Sequence, residues 1–277
     1  MIPFTKMHGI GNDFVMVDAV SSALEGTDLA QLARAVNDRR FGVGGDGLIL
    51  VERGEAAPFR MRMFNPDGSE SEMCGNGVRC VARFLHDRGH TKEPVVSLET
   101  GAGVLRLELQ ADDRVRVDMG RARLTRGEIG MTGHSDRSFR EQPISVGDRI
   151  LPGTGVGMGN PHLVLFVEDA SLVPLGTWGP ELERHPEFPN RVNVHFVQVS
   201  DRKRVAQRTW ERGAGATLAC GTGACACAVA SFLTGRTERR VTVTLPGGDL
   251  EIEYAESGTV FMTGPAEIAF EGLWPGR

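Results

Sequence analysis

Two cysteines stand in the same local setting in this chain. Cys74 opens C-G-N-G-V-R-C and Cys220 opens C-G-T-G-A-C, so each begins C-G-x-G ahead of a helical run. A free thiol titrates near pH 8.5 or so, close enough to neutrality to act as acid or as base. Inverting a carbon stereocentre by proton transfer needs a base on one face and an acid on the other. A single base returns the proton to the side it came from. Two thiols on opposite sides of a substrate meet the need in both directions, because each can take either role.

The C-G-x-G setting adds to this. A cysteine just before a helix lies beside unsatisfied backbone N–H groups and the positive end of the helix dipole, which lowers its pKa. The same N–H groups can hold a substrate carboxylate, where charge collects when an α-proton is removed. Glycines at 75, 77, 221 and 223 let the backbone come close. Two neighbouring thiols also resist carrying charge together, so one thiolate and one thiol is the favoured state. Mild oxidation should join Cys74 to Cys220 in an inactivating disulfide, and mass spectrometry that finds no such bond in oxidised protein would count against it. The ordinary role of a free cysteine is that of a small buried hydrophobe. That reading fits Cys80, Cys225 and Cys227, which fall inside the helical runs, and Ala224 to Ala230 reads as a helix buried on every side.

The elements that must position these thiols are mixed α and β throughout. Phe14–Asp18, Leu48–Val51 and Arg60–Phe64 read as strands, and Asp28 caps a helix over Leu29–Val36. A helix over about Gly77–His86 is followed by strands at Val95–Leu98, Gly103–Leu109 and Arg114–Met119. The second half predicts strands at His162–Val167, Val192–Val199 and Arg204–Thr209, then a helix over about Thr222–Leu233. Strands at Arg240–Leu245, Leu250–Tyr254 and Thr259–Thr263 complete it. An aromatic, Phe64 or Trp210, lies ten residues before each cysteine, and the cysteines are 146 residues apart. Upstream, G-I-G-N ending at Asn12 matches G-M-G-N ending at Asn160, 148 residues on. Two motifs repeated in order at nearly constant offset point to a duplicated domain. A pseudo-twofold arrangement of the copies would set Cys74 and Cys220 across one cleft.

Composition excludes several other classes. The chain has 277 residues, 40% hydrophobic and 24% charged, with a net charge of -5. That acidic balance argues against nucleic acid as a partner. No apolar run approaches the ~20 residues that span a bilayer, and the N-terminal M-I-P-F-T-K lacks the apolar centre of a signal peptide. A cytoplasmic protein is the expectation. Five cysteines cannot all pair, and their spacings, C-x5-C and C-x4-C-x-C, fit no common zinc pattern. The literal G-x-G-x-x-G at 42–47 follows a helix and opens a strand, the reverse of a dinucleotide-binding fingerprint.

Taken together, K-M-H-G-I-G-N-D-F-V (6–15), F-N-P-D-G-S-E (64–70), C-G-N-G-V-R-C (74–80), G-N-P-H (159–162), R-V-N (191–193), E-R-G-A-G (211–215), A-C-G-T-G-A-C (219–225), L-P-G-G (245–248) and M-T-G (262–264) resemble the diaminopimelate epimerase family over nearly the whole chain. The resemblance implies interconversion of LL- and meso-diaminopimelate, in the lysine and cell-wall precursor pathway, with no pyridoxal phosphate, metal or other cofactor. It implies that Cys74 and Cys220 are the acid–base pair, and that Gly75-Asn76 and Gly221-Thr222 are loops holding the reacting carboxylate. Asn12, Asn65, Asn160, Asn193 and Arg212 would bind the substrate, largely at its distal centre, with His162 and Glu211 near the reacting amine. Arg212 can grip a carboxylate with two donors, and asparagines can serve either half of a zwitterion. Two positions depart from the pattern. Gly47 stands where the family often has Gln or Gly, so the contact a Gln could make with substrate is absent, and Ala216 replaces a common Glu.

The implied fold is α/β, two similar domains, each a curved, mostly antiparallel sheet around a central helix. Residues 1–119 with 265–277 form one domain and 120–264 the other; the return of the C-terminus is implied by the resemblance. The family also implies a homodimer. The rival reading is another two-thiol racemase, such as a proline or hydroxyproline racemase. A proline ring offers little for Arg212 and four asparagines to bind. Isomerases of this fold with a carboxylate in place of cysteine are excluded by Cys74 and Cys220 themselves.

Overall fold

The computed structural model describes residues 1–21, 24, 26–71 and 73–276. The chain divides into two compact units, Met1–Val117 with Gly264–Arg277, and Asp118–Thr263.

The first unit opens with a hairpin of β1 (Ile2–Gly9) and β2 (Asn12–Asp18). Gly9 pairs with Asn12, so Ile10 and Gly11 form a two-residue turn, and both have positive φ (51° and 84°). That is the conformation a two-residue hairpin turn demands. Helix α1 (Leu29–Asn37) then crosses to β3 (Gly47–Arg53), parallel to β2. Asp28 caps α1 by accepting the Gln31 N–H, as its position before the apolar repeat predicts. Strand β4 (Phe59–Phe64) lies antiparallel to β3 and pairs with the two-residue β5 (Glu70–Ser71). Helix α2 (Gly75–Asp87) crosses over to β6 (Val95–Thr100), parallel to β4, and β7 (Gly103–Leu109) and β8 (Val115–Arg121) follow antiparallel. A core including Phe4, Val15, Val36, Leu48, Phe64 and Trp274 closes around these elements.

The second unit contains a short helix α3 (Arg126–Ile129) and the hairpin of β9 (Gln142–Val146) and β10 (Arg149–Gly157). From β10 onward its pairings run in the same order as those of the first unit from β1. Strand β10 is antiparallel to β11 (Pro161–Phe166), and helix α4 (Leu175–Glu183) crosses to β12 (Asn193–Asp201), parallel to β11. Strand β13 (Arg204–Glu211) is antiparallel to β12 and pairs with the short β14 (Gly215–Thr217). Helix α5 (Gly221–Leu233) crosses to β15 (Arg240–Leu245), parallel to β13. Strands β16 (Gly248–Tyr254) and β17 (Thr259–Gly264) follow antiparallel. The last strand, β18 (Glu267–Trp274), belongs to the first unit and pairs with β1. Each unit is thus a mixed, mostly antiparallel sheet with two parallel crossovers, each carried by a helix.

The second crossover helix of each unit is the buried one. In α5 every residue from Ala224 to Ala230 is at most 1% exposed, and the helix packs against β10, β11, β12, β13, β15 and β16. Alanine, cysteine and valine are small enough to let strands approach from all sides. Helix α2 buries Val78, Cys80, Val81, Phe84 and Leu85 and packs on β1 and β7. Both helices begin earlier than the apolar repeat predicts, at Gly75 and Gly221. Glycine weakens a helix interior but is tolerated in the first turn, so the G-x-G residues after each cysteine are helical and not a preceding loop. No described helix is long and apolar enough to cross a membrane.

Candidate active-site residues

Cys74 is the residue immediately before α2, in an extended conformation (φ -137°, ψ 117°), and Cys220 holds the same place before α5 (φ -130°, ψ 101°). Neither side chain caps its helix. The first intrahelical bonds run from Val78 N to Cys74 O and from Ala224 N to Cys220 O. The N–H groups of residues 75–77 and 221–223 precede them and point away from each helix body. An anion bound there would meet backbone donors together with the positive end of a 13-residue helix.

Within the first unit, Cys74 sits on a chain of polar side chains. Its Sγ donates to Asn12 Oδ1 at 3.6 Å, and Asn76 Nδ2 donates to the same oxygen at 3.0 Å. Asn12 Nδ2 in turn donates to Asp46 Oδ2 at 2.7 Å, and Arg39 holds Asp46 Oδ1 at 2.7 Å. The other end of Asn76 accepts from the fully buried Arg79, whose Nη1 reaches Asn76 Oδ1 at 3.0 Å and Gly75 O at 3.2 Å. Asn12, Cys74, Gly75 and Asn76 are therefore brought together in the first unit. Asn65 is taken up in its own turn, donating from Nδ2 to Ser69 Oγ at 3.0 Å. Asp13 lies behind the group. Burial pushes its carboxyl up, but Arg39 and Lys6 outweigh that and bring it down to about 2.

In the second unit, Cys220 is buried, with Thr222 Oγ1 3.8 Å from its sulfur. Burial raises its pKa well above the ordinary thiol value, and the negative charge of Glu211 raises it further. The Gly223 N–H and the Thr222 hydroxyl pull the other way and are outweighed. This corrects the expectation that the helix start lowers it. A helix terminus contributes roughly 0.3–1 kcal/mol, whereas removing a charge from water can cost on the order of 4–7 kcal/mol. Asn193 spans two backbones, donating to Pro161 O at 3.0 Å and accepting the Arg212 N–H at 3.0 Å. Arg212 is exposed, donates from Nη1 to Asn190 O at 3.1 Å, and has no carboxylate partner among the described residues. His162, fully buried, lies between Asn160 Oδ1 at 2.7 Å and His195 Nε2 at 2.9 Å. Burial pushes the pKa of both histidines down, that of His195 to about 3, so both rings are neutral.

Sequence reasoning missed four residues that hold these groups: Asp46, Arg79, Glu183 and His195. Asp46, Arg79 and His195 are polar or charged residues in apolar or glycine-rich runs, which is the available signal; Glu183, in P-E-L-E-R-H, carries none. Glu183 is 5% exposed and accepts from Trp210 Nε1 at 2.8 Å and from Gly213 N at 3.2 Å. It thereby anchors the segment that carries Glu211 and Arg212. Burial raises its carboxyl, and these two hydrogen bonds together with the charges of Arg191 and Arg184 more than compensate. The other three cysteines are packed interior: burial pushes Cys80 up to about 12 and holds Cys227 well above the ordinary range. At Gly47 an added Cβ would lie 2.8 Å from Met63 Cε, so a side chain there requires Met63 to move. No cluster of three or more His, Cys, Asp or Glu side chains arranged to hold a metal ion occurs among the described residues.

The family model described as diaminopimelate epimerase matches residues 4–125 and 154–269. A diaminopimelate epimerase of Pelotomaculum thermopropionicum is 51% identical, covering 99% of each chain. That of Moorella thermoacetica is 52% identical over 98% of this chain and 99% of its own. The solved structure of a probable proline racemase from Agrobacterium radiobacter K84 is 18% identical, covers 100% of this chain and 94% of its own, and superposes with a TM-score of 0.68. A likeness at that identity shows the fold. Fold and relatives together define an isomerase, of the epimerase class. The chain belongs to the diaminopimelate epimerase family.

Proposed function

We propose that the chain interconverts LL- and meso-2,6-diaminopimelate without a cofactor, with Cys74 and Cys220 exchanging the roles of base and acid. The observation that carries this reading is the matched placement of two uncapping cysteines before the second crossover helix of each unit. In the reaction a thiolate takes the α-proton from one face, and the electron pair is delocalised into the α-carboxylate. The thiol on the other face then donates its proton to the carbon. The carboxylate lies on the N–H groups of Gly75-Asn76 and Gly221-Thr222, where added negative charge is stabilised as it forms. Glu211 and His162 lie near the reacting amine. Asn12, Asn65, Asn160 and Arg212 bind the rest of the substrate, Arg212 with donors still open to a carboxylate. Asn193, whose amide is already engaged with Pro161 and Arg212, contributes by holding that segment in place.

The enzyme works in the cytoplasm, in lysine and cell-wall precursor synthesis, as a homodimer. Self-association is supported by Ile268, Phe270 and Leu273, which are 43–59% exposed along β18. The test is incubation of the purified protein in heavy water with LL-diaminopimelate and, separately, with L-proline. Deuterium entry at the α-carbon and appearance of the meso isomer with diaminopimelate alone supports the assignment. Exchange of proline with diaminopimelate untouched would assign the chain to the rival class.

A further inference from the structure

A buried chain of side chains runs from the interior of the second unit to Asn160. Gln207 Nε2 donates to Thr209 Oγ1 at 3.1 Å, and Thr209 Oγ1 lies 2.9 Å from His195 Nδ1. His195 Nε2 lies 2.9 Å from His162 Nδ1, and His162 Nε2 lies 2.7 Å from Asn160 Oδ1. Both rings are fully buried. A neutral imidazole has one donor nitrogen and one acceptor, so each ring's proton position fixes that of the next. An asparagine oxygen can only accept. His162 therefore carries its proton on Nε2 and accepts at Nδ1, which requires the His195 proton on Nε2 and leaves His195 Nδ1 to accept the Thr209 hydroxyl. Gln207 closes the inner end by donating to the remaining lone pair of Thr209.

With its oxygen held by His162, Asn160 has its Nδ2 hydrogens to offer as donors. That group has no protein partner among the described residues, and the residue is half-buried. The His195 ring also lies under the first turn of α5. A Cβ added at Gly223 would be 2.3 Å from His195 Cε1 and 3.0 Å from Cys220 Sγ, so the glycine leaves the space the ring occupies.

We propose that His195 is a positioning residue: it fixes the tautomer of His162 and thereby turns the Asn160 amide outward as a hydrogen-bond donor for an anionic group of the substrate. The part concerning substrate rests on the assignment of Asn160 made above. The tautomers stand apart from it.

The experiment uses the full-length protein, labelled with nitrogen-15, and long-range proton–nitrogen correlation spectra of the histidine rings. The expected wild-type result is a His162 proton on Nε2. His195→Gln keeps a donor where Nε2 stood, so it should keep that tautomer and a KM for LL-diaminopimelate within about threefold of wild type. His195→Phe keeps the ring but loses the donor. It should mix the His162 tautomers and raise KM about tenfold, with a smaller change in kcat, as loss of one donor to a charged group would. A wild-type His162 protonated on Nδ1 overturns the proposal, as does a His195→Phe protein with unchanged tautomer and KM. Should His195→Phe fail to fold, the wild-type and His195→Gln spectra decide the matter. A wild type with the expected tautomers but no activity on diaminopimelate would refute the substrate assignment and leave the positioning role standing.

Discussion

Gly223 and His195 show how a single side chain is set by its neighbours. Replacing glycine by alanine inside a helix ordinarily stabilises by about 1 kcal/mol. At Gly223 the added methyl meets the His195 ring at 2.3 Å, and overpacking of that kind costs roughly 1–3 kcal/mol. The steric term is the larger, so Gly223→Ala should lower stability in urea unfolding; a gain would show that the ring does not occupy that space. The same buried rings predict a pH dependence. Unfolded histidines bind protons near pH 6.5, whereas folded His162 and His195 refuse them to far lower pH, His195 to about 3. The unfolded chain then binds more protons, so stability is complete above pH 6.5 and falls as pH drops toward 3. The slope is about 1.4 kcal/mol per pH unit for each histidine. Urea unfolding at pH 7.5, 6.5 and 5.5 should show a shallower acid loss for His195→Gln than for wild type. Parallel curves would contradict the assignment of neutral buried rings.

At the scale of elements, the polar anchors behind the site matter as much as the helices that carry the thiols. Glu183, the last residue of α4, holds both Trp210 on β13 and the Gly213 N–H beyond it. Glu183→Ala leaves two donors unpaired, at roughly 1–3 kcal/mol, and frees the turn that carries Arg212. It should lower the urea midpoint and raise KM more than it lowers kcat; unchanged values of both would remove Glu183 from the account. The sequence predicts α2 and most strands well, because their apolar residues repeat at helical or strand period, and α5 because its small apolar run is long enough for a helix buried on every side. It misses α4, L-G-T-W-G-P-E-L-E, whose two glycines and Pro180 are poor helix formers. That helix is held by packing: Leu175 and Leu182 enter the core with Trp178 against them. Strand β18 is missed for the opposite reason, since most of its residues are exposed and their pattern marks no inner face. The two cysteines are legible because they lie in a repeated motif, as do Asn12 and Asn160, whereas Asn65 and Asn193 are marked only by the family resemblance. The roles of Asp46, Arg79 and His195 behind them are not legible, because only the folded chain joins these residues to the site.

For the whole molecule, the common order of pairings in the two units supports descent from a duplicated domain. Each copy places one thiol before its buried helix, and the copies have diverged around it. Cys74 meets Asn12, which Asn76 and the buried Arg79 back in turn, whereas Cys220 meets a glutamate and is buried. Different surroundings suit two thiols that must hold different protonation states at any one moment. The account stands or falls on whether both thiols are needed for inversion. The most direct measurement follows LL-diaminopimelate in heavy water with the wild type, Cys74→Ala and Cys220→Ala, recording deuterium entry and formation of the meso isomer together. The account predicts that the wild type inverts with deuterium entry and that each single variant, folded as judged by circular dichroism, loses inversion by at least about a thousandfold, in line with removal of an acid–base group. Either variant still inverting at near wild-type rate would contradict the two-thiol mechanism.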